Sequence, residues 1–170
     1  MDSDVMVSSA KCIQTWPVPR FGRESTRRLI SDEELRADML SRPLCEFWVG
    51  GSPHAWVIPV KRRFEELLSL PPNWDSYGAQ QLDPRYLQTA LDLLSEVMLP
   101  ETPMPSIVPT NKGSLQLEWH TKGIDLEVEF IAPGRWNVLF VDSTTGEEWE
   151  QENTTDLSPV IECVSRLTTP

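Results

Sequence analysis

One histidine and several carboxylates alternate with apolar residues between Leu115 and Ile131. The outward positions of two predicted strands are occupied by Glu118, His120, Asp125, Glu127 and Glu129. Because successive residues of a strand point to opposite faces, these five side chains should share one face of a sheet. His120 lies two residues after Glu118 and could approach Asp125 across a turn, which is a pairing suited to general acid–base chemistry.

The enzymatic interpretation lacks the companions that such a site needs. Ser114 and Thr121 are the hydroxyls nearest to His120 in sequence, and neither lies in a motif that activates a nucleophile. Carboxylates at alternate strand positions also do not form a recognised metal-binding loop. We therefore expect no catalytic residue, no metal and no cofactor. A small hydrolase or metal-dependent enzyme that uses His120 and neighbouring carboxylates is the alternative.

A polar and aromatic loop follows Pro71-Pro72. It contains Asn73, Trp74, Asp75, Tyr77 and Gly78. Asn and Asp side chains cap the backbone of such loops, and glycine tolerates a positive φ. We interpret these residues as a structural loop in which Trp74 closes the core, and ligand binding by the loop is the alternative.

The charge is divided unevenly along the chain, whose net charge is −11. Residues 1–63 contain 10 Lys or Arg and 8 Asp or Glu, whereas residues 64–170 contain 5 and 18. Such an acidic C-terminal part argues against direct nucleic-acid binding and should attract basic surfaces. The three cysteines fit neither a disulfide set nor a zinc pattern. The absence of a membrane-length apolar window and of a signal peptide predicts a cytoplasmic protein without membrane contact.

Capping signals, prolines and hydrophobic periodicity divide the chain into elements. They predict helices at 32–41, 60–69 and 84–98, and a last one that opens at Ser158-Pro159. Two short extended pieces are expected within 47–60. Four strands are expected at 115–120, 124–131, 136–141 and 147–153, and the third is apolar enough to be covered on both faces.

These elements predict an α+β fold, in which an antiparallel four-stranded β-meander is covered on one face by helices. Residues 61–170 form the α+β core domain in this interpretation. Residues 1–60 form an N-terminal extension with a short helix and short extended pieces.

Three sequence segments carry a resemblance. They are Asn-Trp-Asp-Ser-Tyr-Gly-Ala (73–79), the segment Pro105 to Pro109, and Gly-Ser-Leu-Gln-Leu-Glu-Trp-His (113–120) with the following Gly-Ile-Asp-Leu-Glu-Val-Glu (123–129). Together they resemble a group of small uncharacterised bacterial proteins with the pattern GWDxYGA … GGxQLEWHxxGxDLEIE. The chain has Asn73 and Lys112 where that pattern has glycines. The resemblance covers roughly residues 70–130 and implies an accessory gene of mobile elements or defence loci, with no known activity.

We predict a non-enzymatic protein-interaction module, namely an antitoxin or accessory subunit of a bacterial defence or toxin–antitoxin system. Its acidic sheet face would bind a basic protein partner, such as a toxin, a nuclease or a defence subunit. The alternatives are an inhibitor that mimics nucleic-acid charge, the enzyme described above, and a merely solvated face that blocks edge-to-edge aggregation.

Overall fold

The computed structural model describes residues 55–168, together with Ser31, Glu33, Glu34 and two strands of two residues each. Ser31 and Glu34 form the expected capping box. The Ser31 N–H donates to Glu34 Oε2 over 3.0 Å, and the Glu34 N–H donates to Ser31 Oγ over 3.1 Å. The rest of the predicted helix 32–41 lies outside the described residues. The two extended pieces are confirmed as antiparallel strands β1 (Trp48–Val49) and β2 (Ser52–Pro53).

Three helices follow, α1 (Val57–Leu68), α2 (Pro84–Val97) and α3 (Ser158–Thr168). Helix α1 begins three residues before its predicted start because it includes Pro59 in its first turn. A proline is tolerated there, since the first N–H groups of a helix have no intrahelical acceptor. Helix α2 begins as predicted, with the Asp83 carboxylate accepting the Arg85 N–H over 2.9 Å.

The sheet is an antiparallel meander of five strands that neighbour each other in chain order. The strands are β3 (Ser106–Pro109), β4 (Leu115–Thr121), β5 (Ile124–Ala132), β6 (Arg135–Asp142) and β7 (Glu147–Thr154). The four predicted strands are found to within one residue at each end, and β3 adds a fifth. The prolines around β3 exclude a helix but not an extended strand, and an edge strand tolerates proline because it lacks one neighbour.

The core lies between the helices and one face of the sheet, which confirms the α+β fold class. Its largest fully buried side chains include Trp119, Phe130, Phe140, Leu67, Leu87 and Leu94. Trp119 is only 1% exposed, and its indole N–H donates to the Pro103 carbonyl oxygen over 2.9 Å. Trp56 and Val57 belong to the core, so residues on both sides of the expected boundary at residue 60 contribute to it.

Arg166 anchors helix α3 to the hairpin formed by β6 and β7. Its guanidinium pairs with Asp142 and lies 2.9 Å from Glu147 Oε2. It also lies 4.9 Å from the centroid of the Phe140 ring, which stacks on Trp149. Burial alone would raise the pKa of Asp142, but N–H donors from the turn and the Arg166 charge outweigh it and lower that pKa.

The second face of the sheet carries no helix within the described residues. The expectation that β6 is covered on both faces is therefore wrong for the part of the chain that is described. Leu139 and Val141 point away from the helices and are only half-buried. Within residues 55–168, helices cover the apolar run of β6 on one face only.

Both edges of the sheet are unfavourable for adding another strand. On β3, Arg63 Nε donates to the outward-pointing Ile107 carbonyl oxygen over 2.9 Å. Pro105 and Pro109 flank that position and have no N–H to offer. Strand β7 is rich in glutamate, whose charge opposes pairing with another acidic strand.

None of the helices in the described part of the chain combines the length and the apolar character that a membrane span requires.

Candidate protein-binding face

The open face consists of the outward side chains of β3 to β7. It carries six carboxylates, from Glu118, Asp125, Glu127, Glu129, Glu148 and Glu150. The alternation of β4 and β5 predicted the first four of these. The five strands contain a single Lys or Arg, which is Arg135 at the beginning of β6, and its guanidinium donates to Asn153. The open face is therefore strongly acidic.

The strand register arranges these charges around an aliphatic centre. Asp125 and Glu148 lie on either side of Val141, each at a paired position. One step along, Glu127 and Glu150 flank Leu139 in the same way. We call Leu139 and Val141 the aliphatic stripe. Neighbouring strands lie about 4.8 Å apart, so the two rows of acids are separated by about 10 Å.

Neutral amides, and not cations, hold two of the central carboxylates. Gln116 Nε2 donates to Glu127 Oε2 over 2.7 Å, and Asn137 Nδ2 donates to Glu129 Oε2 over 3.2 Å. In the described part of the chain no Lys or Arg forms an ion pair with the six carboxylates of this face. Glu118 and Asp125 contact His120, whereas Glu127, Glu129, Glu148 and Glu150 have no cationic partner among the described residues.

His120 lies between two carboxylates, as its sequence position predicted. The two-residue turn Lys122-Gly123 has positive φ at both positions, 55° and 77°, which is the type I′ hairpin geometry. This turn places His120 directly opposite Asp125. His120 Nδ1 lies 2.8 Å from Asp125 Oδ1, and Nε2 lies 3.4 Å from Glu118 Oε2. The hydrogen bond with Asp125 is the main reason that the pKa of His120 is raised.

Among residues 55–168, the surroundings of His120 contain no activated nucleophile and no metal site. Both ring nitrogens already face carboxylates, and Ser114 is buried with its hydroxyl bonded to Thr110 over 2.7 Å. Among the described residues no group of three or more His, Cys, Asp or Glu side chains could hold a metal ion.

The loop after Pro71-Pro72 is closed by its own hydrogen bonds. The Asn73 N–H donates to the Ala79 carbonyl over 2.7 Å, and Asn73 Oδ1 accepts the Gly78 N–H over 2.7 Å. Asp75 Oδ1 accepts N–H groups from Tyr77 and Ala79, and the Tyr77 bond is the main reason that its pKa is lowered. Gly78 has a φ of 96°, which glycine allows.

Trp74 does not close the core, and this expectation is wrong. The indole is half-buried and lies outside the hydrophobic cluster, whereas Ala79 and Leu82 are buried near this point of the chain. The self-contained hydrogen bonding of the loop explains the difference, because the loop keeps its shape without an aromatic plug. Tyr77 is 93% exposed and contributes nothing to the core.

No protein-family model, curated protein or solved structure matches this chain. The resemblance over residues 70–130 therefore stays a prediction, and no activity is transferred to the chain from another protein.

Proposed function

We propose that this chain is a non-enzymatic protein-interaction module that binds a basic protein partner through its open face. In this proposal it serves as an antitoxin or as an accessory subunit of a bacterial defence or toxin–antitoxin system. The observation that carries the proposal is the composition of the open face, where six carboxylates, none paired with a Lys or Arg among the described residues, lie around a half-buried aliphatic stripe.

The arrangement costs stability in the free protein. Glu118 and Glu127 are directly opposite each other on neighbouring strands. Like charges at such positions destabilise a sheet by about 0.2–1 kcal/mol per pair. A bound basic surface would convert this repulsion into attraction, and it would also steer the encounter between the two proteins. Binding of a cationic partner therefore accounts for a surface that solubility alone does not require.

The aliphatic stripe favours a protein partner over the alternatives. An inhibitor that only mimics nucleic-acid charge does not need apolar side chains at the centre of its face, because nucleic-acid-binding proteins recognise phosphates by charge. Protein interfaces, in contrast, combine an apolar centre with a polar rim. The enzymatic alternative is disfavoured because both nitrogens of His120 are engaged by carboxylates.

The test compares two variants that change the net charge equally. Glu127→Lys with Glu129→Lys reverses the centre of the open face, whereas Glu96→Lys with Glu101→Lys reverses two exposed acids on and after helix α2. Tagged full-length proteins are purified from the native host at several salt concentrations, and the main associated protein is identified and then titrated in pure form.

We expect that protein to be basic and to bind the open-face variant at least tenfold more weakly than wild type. Its affinity for wild type should fall with salt, because exposed charges are screened. The Glu96 and Glu101 variant should bind nearly as wild type. Equal binding by a folded open-face variant would contradict the proposal, and so would loss of binding by both variants to the same degree.

A further inference from the structure

We infer that the segment of the partner that occupies the open face is a basic amphipathic α-helix lying along β6. This inference rests on the proposed function and specifies the shape of the partner. The helix would place its apolar residues on Leu139 and Val141. Its Lys or Arg side chains would extend to both sides, toward the acids of β5 and the acids of β7.

The spacing across the strands fits a helix. The register places a carboxylate on each side of both stripe residues, in the rows Asp125–Val141–Glu148 and Glu127–Leu139–Glu150. The two outer rows are about 10 Å apart because each strand step is about 4.8 Å. An α-helix with its side chains is about 10–12 Å wide, so cations on its two flanks would stand above the two rows. Long basic side chains can also lay their methylene groups on an apolar surface while their charges reach outward.

The spacing along the strands fits as well. Leu139 and Val141 are two residues apart on one strand, which corresponds to about 6.8 Å. Residues i and i+4 of a helix are about 6 Å apart along its axis and lie on the same side. Two apolar residues at this spacing would therefore meet the two stripe residues. The next outward residue of β6 is Asn137, which limits the apolar contact to a little more than one helical turn.

Other occupants match the face less well. A second copy of this chain has a net charge of −11 and would bring acids against acids. Residues 11–28 of the chain itself are basic, with five Lys or Arg and one Glu, but they contain Pro17, Pro19 and Gly22, which disfavour a helix. An added β-strand would need a free sheet edge and would not use the face at all.

The experiment uses the full-length chain and three synthetic 18-residue peptides. The first is a Leu and Lys peptide whose leucines form one helical stripe. The second has the same composition with the leucines distributed around the helix, and the third is residues 11–28 of this chain. Binding is measured by calorimetry at low and moderate salt, and helix formation of the peptides is followed by circular dichroism.

We expect the striped peptide to become helical and to bind at least tenfold more tightly than the distributed peptide. The double variant Leu139→Ser with Val141→Ser should bind the striped peptide at least fivefold more weakly than wild type does. Its affinity for the distributed peptide should not change. The control is Ile161→Ser on helix α3, which is 44% exposed and should bind as wild type. Backbone chemical shifts of the wild type, which need no variant, should change on β5, β6 and β7 when the striped peptide is added.

The outcomes separate this inference from the proposed function. Equal affinity for the striped and distributed peptides would contradict the inference that the partner segment is an amphipathic helix. The charge-reversal test on the native partner could still succeed in that case. Tightest binding by residues 11–28 would overturn it in favour of the chain's own segment. Shift changes away from β5 to β7 would overturn the placement on the open face.

Discussion

Glu127→Gln should stabilise the free protein, although it removes part of its binding surface. Glu127 lies opposite Glu118, and its neighbours at i−2 and i+2 on the same strand face are Asp125 and Glu129. Glutamine has nearly the same shape as glutamate, and its amide oxygen can still accept the hydrogen bond from Gln116. The substitution therefore removes one charge while it keeps the packing and the local hydrogen bond.

The size of the effect follows from this geometry. Removal of the repulsion between Glu127 and the directly opposed Glu118 should raise the free energy of unfolding by about 0.2–1 kcal/mol. Each neighbour about 6.8 Å away along the strand contributes about 0.6 kcal/mol in unscreened water, and roughly half of that at physiological salt. The unfolded chain retains part of this second repulsion, so we expect a net gain of about 0.5–1 kcal/mol. For a protein of this size the corresponding rise in Tm is about 1–4 °C.

Thermal and urea unfolding of the wild type and of Glu127→Gln would measure this gain at low salt and at 1 M NaCl. The gain should disappear at high salt, where the screening length falls to about 3 Å. Glu96→Gln serves as the control, because Glu96 is exposed on helix α2 and does not belong to the sheet. If Glu127→Gln is destabilising at low salt, or if its gain persists at 1 M NaCl, the carboxylates of the open face do not repel each other as we argue.

Two further predictions concern the core and His120. Trp119→Ala should lower the free energy of unfolding in urea by about 3–5 kcal/mol, and Trp119→Phe by about 1–3 kcal/mol, because the Pro103 carbonyl loses its indole donor; a change near zero would show that the indole is not packed in the core. For His120 the folded pKa is raised, so its stabilising contribution is complete below the ordinary value of 6.5 and is lost as the pH rises through the folded value. The stability difference between wild type and His120→Ala should therefore be larger at pH 5.5 than at pH 9, with partner binding retained; loss of the biological effect in a folded variant that still binds its partner would favour the enzymatic alternative.

The fold was largely predictable because local and global signals agree in this chain. Period-two alternation marks β4 and β5, glycine-containing turns separate the last four strands, and Asp83-Pro84 marks the beginning of helix α2. Strand β3 was not predicted because its prolines indicate only an extended, non-helical segment, and its pairing with β4 becomes evident only in the folded sheet. The start of α1 was missed for a related reason, since Pro59 lies in the first turn, where its missing N–H has no consequence.

The candidate site was predictable only in part. Alternation alone places Glu118, Asp125, Glu127 and Glu129 on one face, and the short turn brings His120 to Asp125. The flanking of Leu139 and Val141 by acids depends on the register between three strands, which no single segment encodes. Whether the apolar run of β6 receives a second cover depends on the number of available helices. Trp74 shows the same limit, because its burial depends on what the loop packs against and not on its residue type.

The closed edges of the sheet have a consequence for how this protein could change its partner over evolutionary time. A partner recruited by an open edge is held by backbone groups, which are the same in every sequence and are hard to make selective. The Arg63 contact to Ile107 and the prolines beside it remove that route at β3. A partner on the face meets side chains only, so a single codon change can alter or reverse one contact on either chain. After gene duplication, a few complementary charge substitutions on the two chains could therefore make each copy specific for its own partner, without any change in the backbone.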